Sequence, residues 1–310
     1  MLYRTEFEAM GCLVIAMLDS SSPKASEILS EVSIWFDGWE QTLSRFKTDS
    51  ELTKLNMQAG WPYSVSQVTW DVFQAAAAAE KASGGLVKAT ILKALISTGY
   101  DKSFKNLINE EPGQNLNTWN IAQSLDEVTL DKQAMTISLP LDVQLDFGGV
   151  AKGWAADQAA KRLAEFGPAL VSAGGDMAVT SLLKSGETWP VTIDDPFNRG
   201  EVIANLGLTA CGMATSGTDY RRWKAGGQWN HHIIDPRTGR SAQTDIISAT
   251  VVAPNIMEAE MAAKTVLISG SQQGLKWIED RPGYAAFLVL ESSGEIIISN
   301  QMNQYFWRLK

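Results

Sequence analysis

An α+β (mixed α/β) fold is predicted for this chain on three observations. Helical and strand periodicities interleave along the sequence. The middle reads as strand, glycine turn, helix and strand in immediate succession. No internal repeat or low-complexity linker divides the 310 residues, so the pattern favours one architecture, with two lobes that share a cleft.

The first strands are expected within residues 5–18, where Cys12 to Met17 is apolar and Gly11 interrupts the run. Ser22-Pro23 reads as a helix start, and Ala25, Ile28, Leu29, Val32, Trp35, Phe36, Trp39 and Leu43 follow at helical spacing. The alanine-rich stretch Val68 to Ser83 predicts a second helix, ended by Gly84-Gly85. Residues 105–140, with Pro112 and Gly113, predict a surface loop leading into a hairpin through Val128, Leu130, Met135, Ile137 and Leu139. Val143 to Phe147 is expected as strand, Gly148-Gly149 as turn, Val150 to Phe166 as helix and Ala169 to Ser172 as strand. Strands at Pro190–Ile193 and Val202–Leu208, helices at Ile256–Leu267 and Gln272–Ile278, and strands at Ala285–Leu290 and Ile296–Ser299 complete the reading.

Composition narrows the function. At 45% hydrophobic and 20% charged the chain has the make-up of a globular protein, and disorder is not indicated. A net charge of -9 opposes long-range attraction to nucleic acid or an anionic membrane, so an anionic ligand must be held by a local site. Cys12 and Cys211 are far apart and outside any metal-ligand spacing, which favours buried free thiols. No stretch approaches the ~20 apolar residues of a membrane span. The opening Met-Leu-Tyr-Arg-Thr-Glu has no signal-peptide core, and a cytoplasmic location is expected.

Five segments carry residues suited to chemistry. Gly148-Gly149 before a helix exposes amides to an anion, and Lys152 in its first turn adds a charge-assisted contact to phosphate; a plain turn explains the glycines equally. Gly174-Gly175-Asp176 follows a strand and is either a ligand-facing strand end or a tight turn. Thr215-Ser216-Gly217 offers hydroxyls. His231 and His232, the chain's two histidines, point to opposite sides of an extended segment, and Asp235-Pro236-Arg237-Thr238-Gly239 follows. Glu260 and Lys264 lie four apart on one helix face, as a surface ion pair or as part of a site.

Taken in order, these segments resemble the ApbE-type FAD:protein FMN transferases. Ala9-Met10-Gly11, Ser44-Arg45-Phe46, Gly99-Tyr100-Asp101, Gly148 to Gly153, Gly174-Gly175-Asp176, Thr215-Ser216-Gly217 and the block His232 to Gly239 carry the resemblance over nearly the whole chain. It implies FAD in a cleft between lobes, a divalent metal, usually Mg²⁺, and transfer of FMN to a Ser or Thr hydroxyl of an acceptor flavoprotein with release of AMP. By position, Met10 and Arg45 line the flavin side. Gly148, Gly149, Lys152, Gly174, Gly175, Thr215, Ser216, Gly217, Asp235, Arg237 and Thr238 serve the nucleotide. His232 is the preferred general base, with Asp176 near the reacting phosphate. Partners are FAD and the acceptor protein; no nucleic acid and no membrane span are expected.

The resemblance departs at the metal. The family places an Asp and, four residues on, a Thr beside a backbone carbonyl at the position of Ala151; this chain has Glu260 and Lys264. Glutamate can still ligate Mg²⁺, so Ala151 and Glu260 stay as the expected ligands, whereas the Lys264 ammonium has no lone pair to donate and would repel the cation. Lys88-Ala89-Thr90 also replaces the usual Asp-Pro-Thr or Asn-Pro-Thr. Three activities stay open: the transferase, an FAD-binding protein without transfer, and an FAD pyrophosphatase giving FMN and AMP.

Overall fold

The computed structural model describes residues 1–107, 121–225 and 227–307. Of the expected loop, Pro112 and Gly113 lie outside the described residues. The chain divides into two compact units, one formed by residues 1–36, 152–219 and 244–310, the other by residues 37–151 and 220–243.

The first unit is built on an eight-stranded sheet in the spatial order Leu2–Ala9, Cys12–Asp19, Ala169–Ala173, Asp176–Val179, Cys211–Gly217, Ile246–Ala253, Ala285–Leu290, Ile296–Ile298. Every neighbouring pair is antiparallel. The strand Ile246–Ala253 is buried along its whole length, as its unbroken run of apolar and small residues requires of a strand covered on both faces. The helix Ile256–Ser269 lies against it and against Cys211–Gly217. That helix is capped by Asn255, whose side chain accepts from the Glu258 amide. Leu170, Met213, Val252 and Phe287 form one core with Trp189, Ile193 and Leu206 of the hairpin Trp189–Asp194 and Val202–Leu208.

Two hairpin turns in this sheet place residues of interest. Leu2–Ala9 and Cys12–Asp19 are joined by Met10 and Gly11, both at positive φ (51° and 69°), the arrangement of a two-residue primed turn. Methionine is disfavoured in that conformation, so its side chain is kept there at a cost to the turn. Gly174 and Gly175, at φ 68° and 96°, make the same kind of turn between Ala169–Ala173 and Asp176–Val179. The two turns are neighbours, since the Gly174 amide donates to the Leu13 carbonyl at 2.9 Å.

The second unit holds a three-stranded sheet, Pro62–Ser64, Thr136–Ser138 and Thr129–Asp131, with the helices Glu51–Met57, Gln67–Ala82 and Leu92–Ser97. The expected hairpin around Leu130 and Ile137 is present. The expected strand Val143–Phe147 is not, and this corrects the strand–helix–strand reading. Its backbone is instead paired by a side chain: buried Asn56 accepts from the Leu145 amide at 2.7 Å and donates to the Leu145 carbonyl at 2.9 Å. The Asp146 amide donates to the Ala89 carbonyl. An alternating segment whose backbone groups are met in this way carries the pattern of a strand without a neighbouring strand. Among the described residues no helix is long and apolar enough to cross a membrane.

Candidate functional site

In the first unit, four charged side chains come together near the glycine turns. Glu260, on the helix Ile256–Ser269, is almost fully buried, its side chain 2% exposed. Lys264, one turn on, donates to Glu260 Oε1 at 3.0 Å and to the Glu260 carbonyl at 3.4 Å. Lys152, in the first turn of the helix Ala151–Ala164, places its Nζ 3.9 Å from the same Oε1. Glu260 Oε2 has no hydrogen-bond partner among the described residues. That oxygen lies against Gly153, where a Cβ would overlap it and push the carboxylate out of its present place.

Asp176 opens its strand beside this group, and its Oδ1 accepts from the Thr215 amide at 3.0 Å. Burial raises its pKa to about 6, with the Glu260 carboxylate adding to the rise; Lys152, Lys264 and the Thr215 amide oppose it. The Thr215 hydroxyl meets the Thr250 hydroxyl at 2.8 Å. Thr250, fully buried on Ile246–Ala253, is a member that sequence reasoning missed, because its partner lies on the adjacent strand and no local motif marks it. Ser216 is buried next to Thr215, and Gly217 ends the strand.

The raised pKa of Asp176 has a sign. A carboxyl whose folded pKa lies above its ordinary 3.8 favours the fold when protonated, and that contribution is lost as pH rises through about 6. Asp176→Asn, which keeps an oxygen for the Thr215 amide, is expected to stabilise the protein at pH 8 by roughly 1–3 kcal/mol and to be neutral near pH 4. Urea denaturation at the two pH values reads this directly; equal effects at both would contradict it.

In the second unit, Asp146 is the pivot, and it too was missed from sequence. Its Oδ1 accepts from the Gly148 amide at 2.7 Å. Its Oδ2 lies 2.5 Å from Nε of Arg45, whose side chain is 6% exposed. Arg45 Nη2 donates to the Tyr100 carbonyl at 2.8 Å, and the guanidinium lies 4.1 Å from the Phe46 ring centroid and 4.8 Å from that of Tyr100. Arg45 is thus committed within its own unit, and the Gly148 amide, expected to face an anion, is met by a side chain two residues back. Gly149 completes the turn, and Ala151 opens the following helix with its amide on the Phe147 carbonyl.

The histidine block divides as its alternation implies. His231 Nε2 meets the Ala242 carbonyl at 3.0 Å and Nδ1 accepts from the Ile233 amide at 3.3 Å, which assigns the ring proton to Nε2. Burial holds this ring below the usual histidine range. His232, half-buried, is the other ring. The following turn is self-contained: Asp235 is gripped by Arg237 through Nε at 2.9 Å and Nη2 at 2.8 Å, and the Thr238 and Gly239 amides donate to the Asp235 carbonyl.

The residues present do not fit a Mg²⁺ ion at the Glu260 and Lys264 positions. Mg²⁺ takes oxygen ligands at about 2.0–2.1 Å in octahedral geometry. Here Glu260 Oε1 already faces two ammonium groups, Oε2 is shut in against Gly153, and the second family position presents a cation. Among the described residues no group of three or more His, Cys, Asp or Glu is arranged to hold a metal.

Comparison with known proteins agrees with the architecture. Relatives named FAD:protein FMN transferase from Salmonella typhimurium and Haemophilus influenzae are 27% and 28% identical, over 92% and 82% of this chain and 83% and 76% of their own lengths. The crystal structure of the ApbE protein from Thermotoga maritima superposes with a TM-score of 0.87 at 25% identity, covering 99% of this chain and 100% of that one. The flavin transferase ApbE from Vibrio cholerae shares the fold, with a TM-score of 0.77 at 20% identity over 99% of each chain. Residues 10–288 match the ApbE family, and the chain belongs to it.

Proposed function

We propose that this protein is an FAD:protein FMN transferase, with residues 1–310 acting as one such domain. The observation that carries the reading is the meeting of Lys152 and Lys264 at one buried carboxylate, beside Asp176 and Thr215, in a chain similar along most of its length to relatives of that name. Two ammonium groups held in a half-buried setting are what a pyrophosphate needs, because charge neutralisation and positioning do most of the work in phosphoryl transfer. Met10, held in a strained turn, is assigned to the flavin side. Arg45 acts by positioning: it holds Asp146, which shapes the Gly148-Gly149 turn. Gly174, Gly175, Thr215, Ser216, Gly217 and the Asp235-Arg237-Thr238 turn are assigned to the nucleotide.

The reaction balances simply. The acceptor hydroxyl oxygen bonds to the phosphorus on the riboflavin side, and the bond from that phosphorus to the bridging oxygen breaks. AMP leaves with that oxygen and the electron pair, and the hydroxyl proton passes to a base. His232 is proposed as that base, and Asp176, with a pKa of about 6, is tuned for proton transfer near neutrality.

His232→Asn is expected to slow AMP release by about 10²–10⁴-fold while changing FAD affinity little. Chromatographic assay of AMP, with FAD binding measured alongside, checks it. Wild-type rates in this variant would remove His232 from the chemistry.

A further inference from the structure

Resting on the transferase reading, we infer that Lys264 stands in for the divalent cation, so that this protein binds FAD and neutralises its pyrophosphate without Mg²⁺. The two residues that stand at these positions fit each other. Glutamate at 260 is one methylene longer than aspartate, and its carboxylate reaches the ammonium one turn on, at 3.0 Å. Gly153 clears the space that the longer side chain occupies. Lysine carries three N–H donors; Lys264 directs two at Glu260, the carboxylate and the main-chain carbonyl, leaving one for a ligand oxygen.

The charge count supports the same conclusion. Lys152 and Lys264 set two positive charges against the single negative charge of Glu260, a net cation where an anion would dock, and both side chains are only partly exposed, at 17% and 14%. They therefore act in a setting where water screens them weakly. A Mg²⁺ ion at Glu260 Oε1 would have to expel the Lys264 ammonium and then sit beside Lys152. The buried carboxylate orients the two cations and keeps them from separating, leaving them preorganised for an anion.

The test is calorimetric titration of FAD into the purified protein in EDTA and in millimolar Mg²⁺, together with titration of Mn²⁺ alone followed by its electron paramagnetic resonance signal. FAD is expected to bind with the same Kd within about twofold in both buffers, and the protein is expected to remove no Mn²⁺ from solution. Lys264→Thr is expected to weaken FAD binding in EDTA by about tenfold or more, with Mg²⁺ restoring it, whereas Lys264→Arg keeps it within severalfold. Thermal melts establish that each variant is folded, and the wild-type arms decide the question if one is not. Wild-type affinity that rises about tenfold with Mg²⁺, saturable Mn²⁺ binding, or Lys264→Thr binding FAD in EDTA as the wild type does would each overturn the inference. Absence of FAD binding in every arm would overturn the transferase reading as well, an outcome distinct from Mg²⁺-dependent binding.

Discussion

Asp146→Ala is expected to lose about 3–5 kcal/mol of stability. The substitution strands the Arg45 guanidinium, 6% exposed, beside the space its partner filled, and it removes the acceptor of the Gly148 amide. Coulomb attraction is the smaller part of this effect. Leaving a buried charge unpaired costs more than the pair itself contributes, because the lone ion has lost its water without compensation. Asp146→Asn separates the two roles, since it keeps an oxygen for the Gly148 amide and gives up the charge. It still leaves the guanidinium unpaired and turns an N–H towards it, so it is expected to lose most of that, about 2–4 kcal/mol. Chemical denaturation of the two variants checks the order, and an Asn variant as damaged as the Ala variant would show that the charge pair alone matters.

Glu260→Gln is expected to lose about 2–4 kcal/mol at neutral pH, somewhat less than Asp146→Ala. The amide fills the same volume but cannot balance Lys152 and Lys264, which then repel each other. The loss is moderated because both lysines are partly exposed and can turn their ammonium groups towards water. Asp176 limits it further. The Glu260 carboxylate is the second cause of its raised pKa, so removing that charge brings Asp176 back towards the ordinary carboxylate range, where it pairs with the lysines. Urea denaturation gives the stability, and carboxyl titration by NMR gives the Asp176 shift. An unchanged stability would mean that the four groups do not interact as the geometry states.

How much of this was legible in the sequence depended on the range of the contacts. The helices Ala25–Leu43 and Ile256–Ser269 and the hairpin through Leu130 and Ile137 follow from local periodicity, and the structure has them. Ile246–Ala253 was overlooked although its β-branched, mostly apolar sequence fits a buried strand, because a short run of this kind reads equally as part of a helix. The failed strand at Val143–Phe147 has a different cause: Asn56, distant in sequence, supplies the hydrogen bonds that a neighbouring strand would have made. The candidate site behaved alike. Glu260 and Lys264 were readable as a pair because they sit on one helix face, and the order of motifs singled out Lys152 and Asp176. That these four share one place, with Thr250 alongside Thr215, depends on strand neighbours far apart in the chain. Arg45 and Gly148 were each readable as ligand contacts. The sequence held no sign that Asp146 engages both.

The most direct test of the transferase reading is incubation of the purified protein with FAD and a library of serine- and threonine-containing peptides, with alanine-substituted peptides as control. AMP is measured by chromatography and peptide-bound flavin by mass spectrometry. The reading predicts AMP and FMN-bearing peptide in equal amounts, and neither with the alanine controls. AMP accompanied by free FMN and no labelled peptide, or FAD recovered unchanged, would contradict it.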